Sequence, residues 1–437
     1  MIYPTSRAAG LAAAIAPAAV ALGFLAPQAW ALAPAALALL AALVFADAAL
    51  GARRGDLDLA LEAPEAIPAG LAGEARVALA FAGARPPRRV ELTLEADDRL
   101  GAPPGKVVAM MAAGRAEARL ALKPVRRGQG ALRRLWVRWR GPLGLVWKQR
   151  RETLDRSLAV TLNLHAVKDE AMRLFSRDSP TGARLQRDLG GGAEFHALRD
   201  FQVGMDHRTI DWKQSARHGV LLAKEFHVER NHHVMAVIDT GRLMCEPVLG
   251  LPRLDHALNA ALLLAYVSLK TGDMAGLFAF DARPGVAAVG LSGAGAFSQI
   301  QRLAARVDYT AQETNYTLGL TQLGARLRRR SLLVVFTEFA DSTSAELMLE
   351  TVGRLLEQHL VLFVILRDEE LEALQAAAPA TPEDVSRAGV AAALARERDL
   401  VVERLQRMGA LILETSADHI GPALISRYLE LKRQDRL

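Results

Sequence analysis

The feature that most constrains this chain is a run without a charged residue, from Ala8 to Ala46. At about 1.5 Å per residue, about 39 residues make roughly 58 Å of helix, some two times the ~30 Å hydrocarbon core of a bilayer. Two crossings fit that length better than one, and Ala26-Pro27-Gln28-Ala29 is the natural break between them. The run therefore predicts two transmembrane helices, Ala8 to Leu25 and Trp30 to Leu50, with Trp30 at an interface, in a first segment covering 1–55. Arg7 precedes the pair and Arg53-Arg54 follows it. The tendency of basic residues to stay inside then places both ends, and everything from Asp56 onward, on the cytoplasmic side of the inner membrane. A secretory signal cleaved near Ala29 to Ala31 is the competing reading, which the second apolar run disfavours.

From Asp56 to about His165 the period changes to two. LDLALE, ARVALAF, RVELTLEA, KVVAMM and ARLALKPV alternate between Pro- and Gly-rich turns, the pattern of a β-sandwich domain, assigned to 56–165. Within it, Arg126 to Arg151 is rich in Lys and Arg, has no acid and contains Trp136, Trp139 and Trp147. If Arg133 to Arg140 is a strand, Leu135, Val137 and Trp139 share a core face, and Arg134, Trp136, Arg138 and Arg140 share the other. Such a face is ordinarily just solvated. For a domain beside a membrane, anionic lipid is the partner within reach of the 126–151 region, worth about 1 kcal/mol per basic group, and nucleic acid is less favoured. The net charge of +6 fits either acidic partner and decides nothing alone. The single cysteine, Cys245, excludes an internal disulfide framework and a cysteine-rich zinc site.

A charged segment, 166–231, comes next. Gly190-Gly191-Gly192 lacks the Lys-Ser or Lys-Thr of a phosphate loop and reads as a turn. Histidines gather here and just beyond, at His196, His207, His218, His227, His232 and His233. No pair has the i, i+4 spacing of two ligands on one helix face, so no zinc and no other cofactor is expected. No Gly-x-Ser-x-Gly elbow is present, and no catalytic residue is assigned. Opposite charges interleave instead: Glu194, Arg199, Asp206, Arg208, Asp211, Arg217, Glu225, Glu229 and Arg230 surround Trp212. This pattern predicts a charge-paired scaffold in which the indole packs and leftover charge docks a partner, with Arg208, Asp211, Trp212 and Arg217 at its centre. An enzyme using the carboxylates of 194–229 is an alternative.

From residue 232 to residue 437 the pattern is α/β. The strands VMAVID, MAGLFAF, LLVVFTEF, LVLFVIL and ALILETS alternate with helices at Leu254 to Thr271, Phe297 to Val307, Thr317 to Arg329, Ala345 to Gln358 and Ile420 to Lys432. Continuous apolar strands between helices argue for a mostly parallel, doubly wound sheet. Thr381-Pro382-Glu383-Asp384 starts a further helix, with an N-cap hydroxyl, proline at the first position and acids on the positive dipole end. Ligands of such sheets bind at the carboxyl ends of the strands, here around Asp239, Thr337 and Glu338.

The string GAEFHALRDFQVGMDHRTIDWKQSARHGVLLAKEFHVER, followed by a strand ending Asp239-Thr240-Gly241, resembles the bacterial domain-of-unknown-function family numbered fifty-eight. The resemblance implies an α/β von Willebrand factor A-like doubly wound domain, preceded by a β-sandwich domain and an N-terminal transmembrane helical hairpin. It also implies a membrane-anchored partner of MoxR-type AAA+ ATPases, acting in the assembly or maturation of other proteins. Carried over residue by residue, the related metal-ion-dependent adhesion motif is degenerate. Its Asp-x-Ser-x-Ser reads Asp239-Thr240-Gly241-Arg242-Leu243, so Gly241 and Leu243 stand in place of the serines. The threonine element is Thr314 or Thr317, and the late Thr-Asp is Thr337-Glu338. A hard cation loses two oxygen ligands, so no metal is expected, and Asp239 is expected to pair with Arg242 or to cap the helix that follows. A metal-dependent adhesion domain facing outside the cytoplasm is the other alternative.

Overall fold

The computed structural model describes residues 1–29, 31–83, 85–101, 105–163, 167, 169–170, 172–173, 189–202, 205, 207–227, 231–339 and 342–437, with backbone alone at 27, 189–197, 208, 225–227 and 342–345. These residues form two compact units, Met1–Leu162 and Asn163–Leu437.

The first unit opens with a short strand, β1 (Ile2–Pro4), and two helices, α1 (Ser6–Leu25) and α2 (Leu32–Leu50). Thr5 starts α1 by accepting the Ala8 backbone N–H at 3.3 Å. Both helices are long and apolar enough to cross a membrane. They are apolar all round, and side chains such as Phe24, Leu25 and Phe45 are exposed, an arrangement suited to lipid contact. Trp30 lies outside the described residues.

The alternating runs then form β2 (Leu57–Glu62), β3 (Ala66–Pro68), β4 (Gly73–Phe81), β5 (Arg89–Ala96), β6 (Val107–Met110), β7 (Arg115–Leu122), β8 (Gly128–Arg140) and β9 (Val146–Thr161). One sheet has the order β1-β9-β8-β5-β6, with β3 also on β9, and a second has the order β2-β4-β7. Leu135, Val137 and Trp139 are buried on β8 as the period-two pattern requires, and Trp139 meets Phe81 of the second sheet edge-on at 5.1 Å. The arginine face of β8 is not simply basic. Register places Glu91 opposite Arg138 and Glu95 opposite Arg134. Arg138 accordingly donates to Glu91 at 2.6 and 2.8 Å, Arg134 lies 3.5 Å from Glu95, and Arg133 lies 3.9 Å from Asp97.

The turn between β8 and β9 fastens the helices to this sheet. Asp47 of α2 is fully buried and accepts the backbone N–H groups of Leu143, Leu145 and Val146 at 2.6, 2.7 and 2.8 Å. Lys148 donates to the carbonyls of Gly51 and Ala52 at 2.8 and 3.0 Å. A Cβ at Gly141 would lie 2.3 Å from an Asp47 oxygen, so only glycine permits this approach.

In the second unit, β10 (Leu189–Asp200) and β11 (Leu222–His227) form an antiparallel pair around α3 (Trp212–His218). Gly190 to Gly192, expected as a turn, lie within β10 at a register shift, where glycine tolerates the bulge. There follow β12 (His233–Asp239), the two-residue strands β13 (Pro247–Val248) and β14 (Leu251–Pro252), α4 (Arg253–Lys270), β15 (Met274–Phe280), β16 (Pro284–Leu291), α5 (Ala296–Ala305) and α6 (Tyr316–Arg326). The chain continues through β17 (Leu332–Phe336), α7 (Ser342–Leu356), β18 (Leu360–Leu366), α8 (Glu369–Ala376), α9 (Pro382–Arg407), β19 (Leu411–Thr415) and α10 (Ile420–Arg433). The sheet order is β16-β15-β12-β17-β18-β19, parallel except for β16. On one face Val237, Phe280, Val335 and Phe363 form a core with Leu320, Val352 and Leu405 of α6, α7 and α9. Thr381 and Asp384 exchange reciprocal hydrogen bonds at 3.0 and 3.2 Å, the capping box that starts α9 where its sequence signal predicts.

Candidate functional site

Parallel pairing of Ile238 with Phe336 brings the carboxyl ends of β12 and β17 side by side, which sets Asp239 beside Thr337. Asp239 is 1% exposed, and four donors reach its carboxylate. Thr314 Oγ1 and the Gly241 N–H donate to Oδ1 at 2.6 and 2.8 Å, and Thr337 Oγ1 and Tyr316 Oη donate to Oδ2 at 2.6 and 3.0 Å. Burial pushes this carboxyl above its ordinary range, while the donors draw it the other way. Burial likewise raises the Tyr316 hydroxyl, with Asp239 adding to the effect. Asn315 caps α6 through the Leu318 N–H at 3.0 Å, which fixes Tyr316 at the first helical position, pointing into the cluster.

Of the two threonines considered for one role, Thr314 takes it, and Thr317 is exposed on α6. Gly241 is explained by space: a Cβ there would lie 1.9 Å from Thr314 Oγ1, so the hydroxyl of the threonine fills the room a serine would need. Leu243 is half-buried in the 3-10 turn Arg242–Cys245. Asp239 does not pair with Arg242, which is a correction. Arg242 lies on the surface, 3.2 Å from Glu313, whereas the aspartate points into the core and bonds the Gly241 N–H ahead of that turn.

Glu338 lies next to this cluster, buried between two guanidiniums. Arg253 of α4 and Arg398 of α9 each approach it to 3.5 Å. Arg253 also meets Asp368 at 2.5 Å and Glu246 at 3.1 Å, and Arg398 meets Glu414 at 2.9 Å. Burial raises the Glu338 carboxyl, and Arg398 and Arg253 oppose that rise. The cavity beside it measures about 10 Å³, space for one water and not for a hydrated cation. Among the described residues, no group of three or more His, Cys, Asp or Glu is placed to hold a metal ion. The strand-end rule located this place in the sequence. It did not identify Tyr316, Arg253 or Arg398, which arrive from three different helices.

The charged segment is organised differently from its expected form. Asp211 caps α3 by accepting the Gln214 N–H at 3.2 Å and lies 3.4 Å from Lys224; those contacts hold its carboxyl below the usual range. Trp212 is 68% exposed, so the packed indole is corrected. The cap puts Trp212 at the first position of a two-turn helix whose buried position is Ser215, bonded to the backbone of Asp211 and Leu222. Arg199 and Arg217 are exposed. Asp206, Glu229 and Arg230 lie outside the described residues, as do the side chains of Glu194, Arg208 and Glu225. Of the histidines, His207 rests against Phe201 at 5.5 Å and His233 bonds Ser331 at 3.0 Å.

Comparison with known proteins bears on the second unit. No curated protein matches the chain. Among solved structures, proximal thread matrix protein 1 from the mussel byssus is similar at 10% identity and a TM-score of 0.26. That likeness covers 44% of this chain and 43% of that one, and a similarity so low carries no argument about fold or function. Residues 197–410 match the family described as "Protein of unknown function DUF58". That span holds Asp239, Thr314, Tyr316, Thr337, Glu338 and both guanidiniums of the strand-end cluster, and by this match the chain belongs to the DUF58 family.

Proposed function

We propose that this chain is a membrane-anchored protein-interaction module, an adaptor rather than an enzyme. In this reading the N-terminal helices are a transmembrane hairpin in the inner membrane, and the two sheets of the first unit are the layers of a β-sandwich. The second unit is a von Willebrand factor A-like domain facing the cytoplasm. Its partner is a MoxR-type AAA+ ATPase acting in the assembly or maturation of other proteins.

The observation that carries the reading is the closed shell of Asp239. A carboxylate that already accepts from three hydroxyls and a backbone N–H must give up a made hydrogen bond for every ligand it gains. That favours a metal-free site and leaves binding to outward-facing groups of the charged segment. Trp212 and Arg217 are exposed there, and indole and guanidinium are the side chains that most often anchor protein partners.

The test pairs two measurements on the full-length protein in detergent: capture of a co-expressed MoxR-type ATPase, and thermal unfolding, for the wild type and for Arg217→Glu. Loss of capture with folding intact is expected. Equal capture by both proteins, or none by the wild type, removes this surface as the docking site. Millimolar magnesium should leave the unfolding midpoint unchanged, because without binding to the native state there is no linkage. Protease added outside intact cells should spare the first unit's sheets, and their digestion overturns the cytoplasmic placement.

A further inference from the structure

At the foot of the helical hairpin, a cavity of about 670 Å³ opens between the β8–β9 turn and the approach to β5. Five arginines line it: Arg7 from the first turn of α1, Arg85, Arg88 and Arg89 leading into β5, and Arg140 at the end of β8. They face one carboxylate, Glu91, which already takes Arg138 at 2.6 Å and lies 3.6 Å from Arg89. Arg7, Arg85, Arg88 and Arg140 have no carboxylate partner among the described residues. Trp147 forms part of the wall, with Arg138 and Arg140 over its ring at 4.4 and 4.7 Å, which holds Arg140 in place. Guanidiniums crowded without counter-ions repel one another, and a phosphate, which they bind through paired N–H groups, relieves that repulsion.

Position narrows the occupant. The cavity is lined by Arg7, where α1 begins, and by Gly51 and Ala52, where α2 has ended. Helices of 20 and 19 residues span about 30 Å, the whole hydrocarbon core, so a cavity at their ends lies at headgroup depth. The Asp47 clamp holds that placement fixed, and Leu143, half exposed at the rim, extends the apolar surface toward an acyl chain.

We propose that this cavity binds the phosphate of an anionic phospholipid, so that the chain holds a lipid headgroup at the foot of its hairpin. The proposal rests on the transmembrane-hairpin reading given above. It also moves the lipid contact away from the bulk of the 126–151 stretch, where Arg133, Arg134 and Arg138 are already answered by acids of β5 and the residue that follows it. A zwitterionic lipid fits less well, because its ammonium group enters a field of unanswered positive charge. A free phosphate ion shares the chemistry but has no acyl chains to hold it at the helix ends.

Carbonate extraction of membranes carrying the full-length protein tests the hairpin by itself, and release into the wash overturns the hairpin together with the lipid. Protein that resists extraction is purified in detergent and titrated with phosphatidylglycerol, phosphatidylcholine and inorganic phosphate, with bound species counted by native mass spectrometry. Phosphatidylglycerol should bind about tenfold more tightly than phosphatidylcholine, and Arg85→Gln/Arg88→Gln should lower its affinity about tenfold. Arg115→Gln/Arg119→Gln removes the same charge from the exposed face of β7 and should leave the affinity within about twofold. All four arginines are exposed, and the thermal midpoint of each variant checks its folding. Equal losses from the two pairs mean diffuse attraction and overturn the site. So does equal affinity for the two lipids, or inorganic phosphate bound as tightly as phosphatidylglycerol, which makes a soluble anion the occupant. Each of these three failures leaves the hairpin reading standing.

Discussion

At the strand ends of the second unit, the buried guanidinium of Arg253 and the half-buried one of Arg398 meet Glu246, Glu338, Asp368 and Glu414, and Asp239 meets four donors. In the cavity of the first unit, five arginines face a single glutamate that is already engaged. The difference follows from solvent. A buried charge without partners costs several kcal/mol, so a cluster that folds into the interior must be answered from within. Exposed arginines remain hydrated and cost little when unpaired, so an unanswered group can be kept for something outside the chain. Closure is therefore a physical reason to read the strand ends as architecture and the arginine cavity as a site. The foot of the hairpin contains both kinds within a few residues, since the Asp47 clamp is as closed as the Asp239 shell.

The largest effect expected from breaking closure is at Asp47. Asp47→Ala leaves three backbone N–H groups without an acceptor, those of Leu145 and Val146 buried and that of Leu143 partly so, at about 1–3 kcal/mol for each buried one. Destabilisation on the order of 5 kcal/mol should follow, read as a lowered thermal midpoint and early proteolysis of the first unit's sheets in the full-length protein. A variant that unfolds like the wild type would mean that the clamp is not what fastens the hairpin.

Next in size is Gly241→Ser, which restores an oxygen that the adhesion motif lacks but places its Cβ against Thr314 Oγ1. Overpacking of this kind costs about 1–3 kcal/mol. The variant should be less stable than the wild type both with and without magnesium. A magnesium-dependent rise in its midpoint would show that the strand ends open readily to a cation, and would undo the contrast with the arginine cavity.

The Asp239 shell also predicts a pH dependence. Burial raises the carboxyl, so the stability it contributes is fully present below the ordinary aspartate value of 3.8 and is lost as pH rises through the raised value. Asp239→Asn carries no such proton. The stability of the wild type relative to the variant should therefore fall as pH rises across that window, with a slope of up to about 1.4 kcal/mol per pH unit. Denaturant midpoints of the two proteins at a series of pH values check this, and parallel curves contradict it.

Much of this architecture is legible in the sequence, and the unread parts share a cause. The hairpin is readable because an uncharged run has few alternatives, and the buried face of β8 because side chains alternate along a strand. The start of α9 is readable because its capping box is local. Asp47 by contrast looks like the end of an apolar run, since its partners lie in a turn far along the chain. The acids that answer Arg134 and Arg138 are in β5 and visible only through register, and β16 is a half-buried Gly- and Ala-rich edge strand with weak periodicity. Tyr316 stands two residues from Thr314 but belongs to no carried-over motif, so only the fold reveals its hydroxyl beside Asp239. Trp212 is the instructive error: Asp211 before it and Gly219 after α3 are ordinary cap residues, and reading them would have placed the indole on the first, outward turn.

The smallest effect is expected at that tryptophan, and it separates structure from docking most cleanly. A buried indole replaced by alanine costs about 3–5 kcal/mol, whereas an exposed one removed from the start of a short helix should change stability by no more than about 0.5 kcal/mol. Trp212→Ala should therefore unfold at the wild-type midpoint, because the Asp211 cap and the Ser215 hydrogen bonds that hold α3 do not involve the ring. Val220 and Leu221, just beyond the same helix, are exposed as well, so this stretch offers three large apolar side chains to solvent among its charges. If that surface docks the ATPase, the same variant should lose capture while keeping its midpoint. A fall of several kcal/mol in stability would mean that the indole is packed against the unit after all. Unchanged stability with unchanged capture would leave Trp212 outside the interface and shift the docking reading to Arg217 alone.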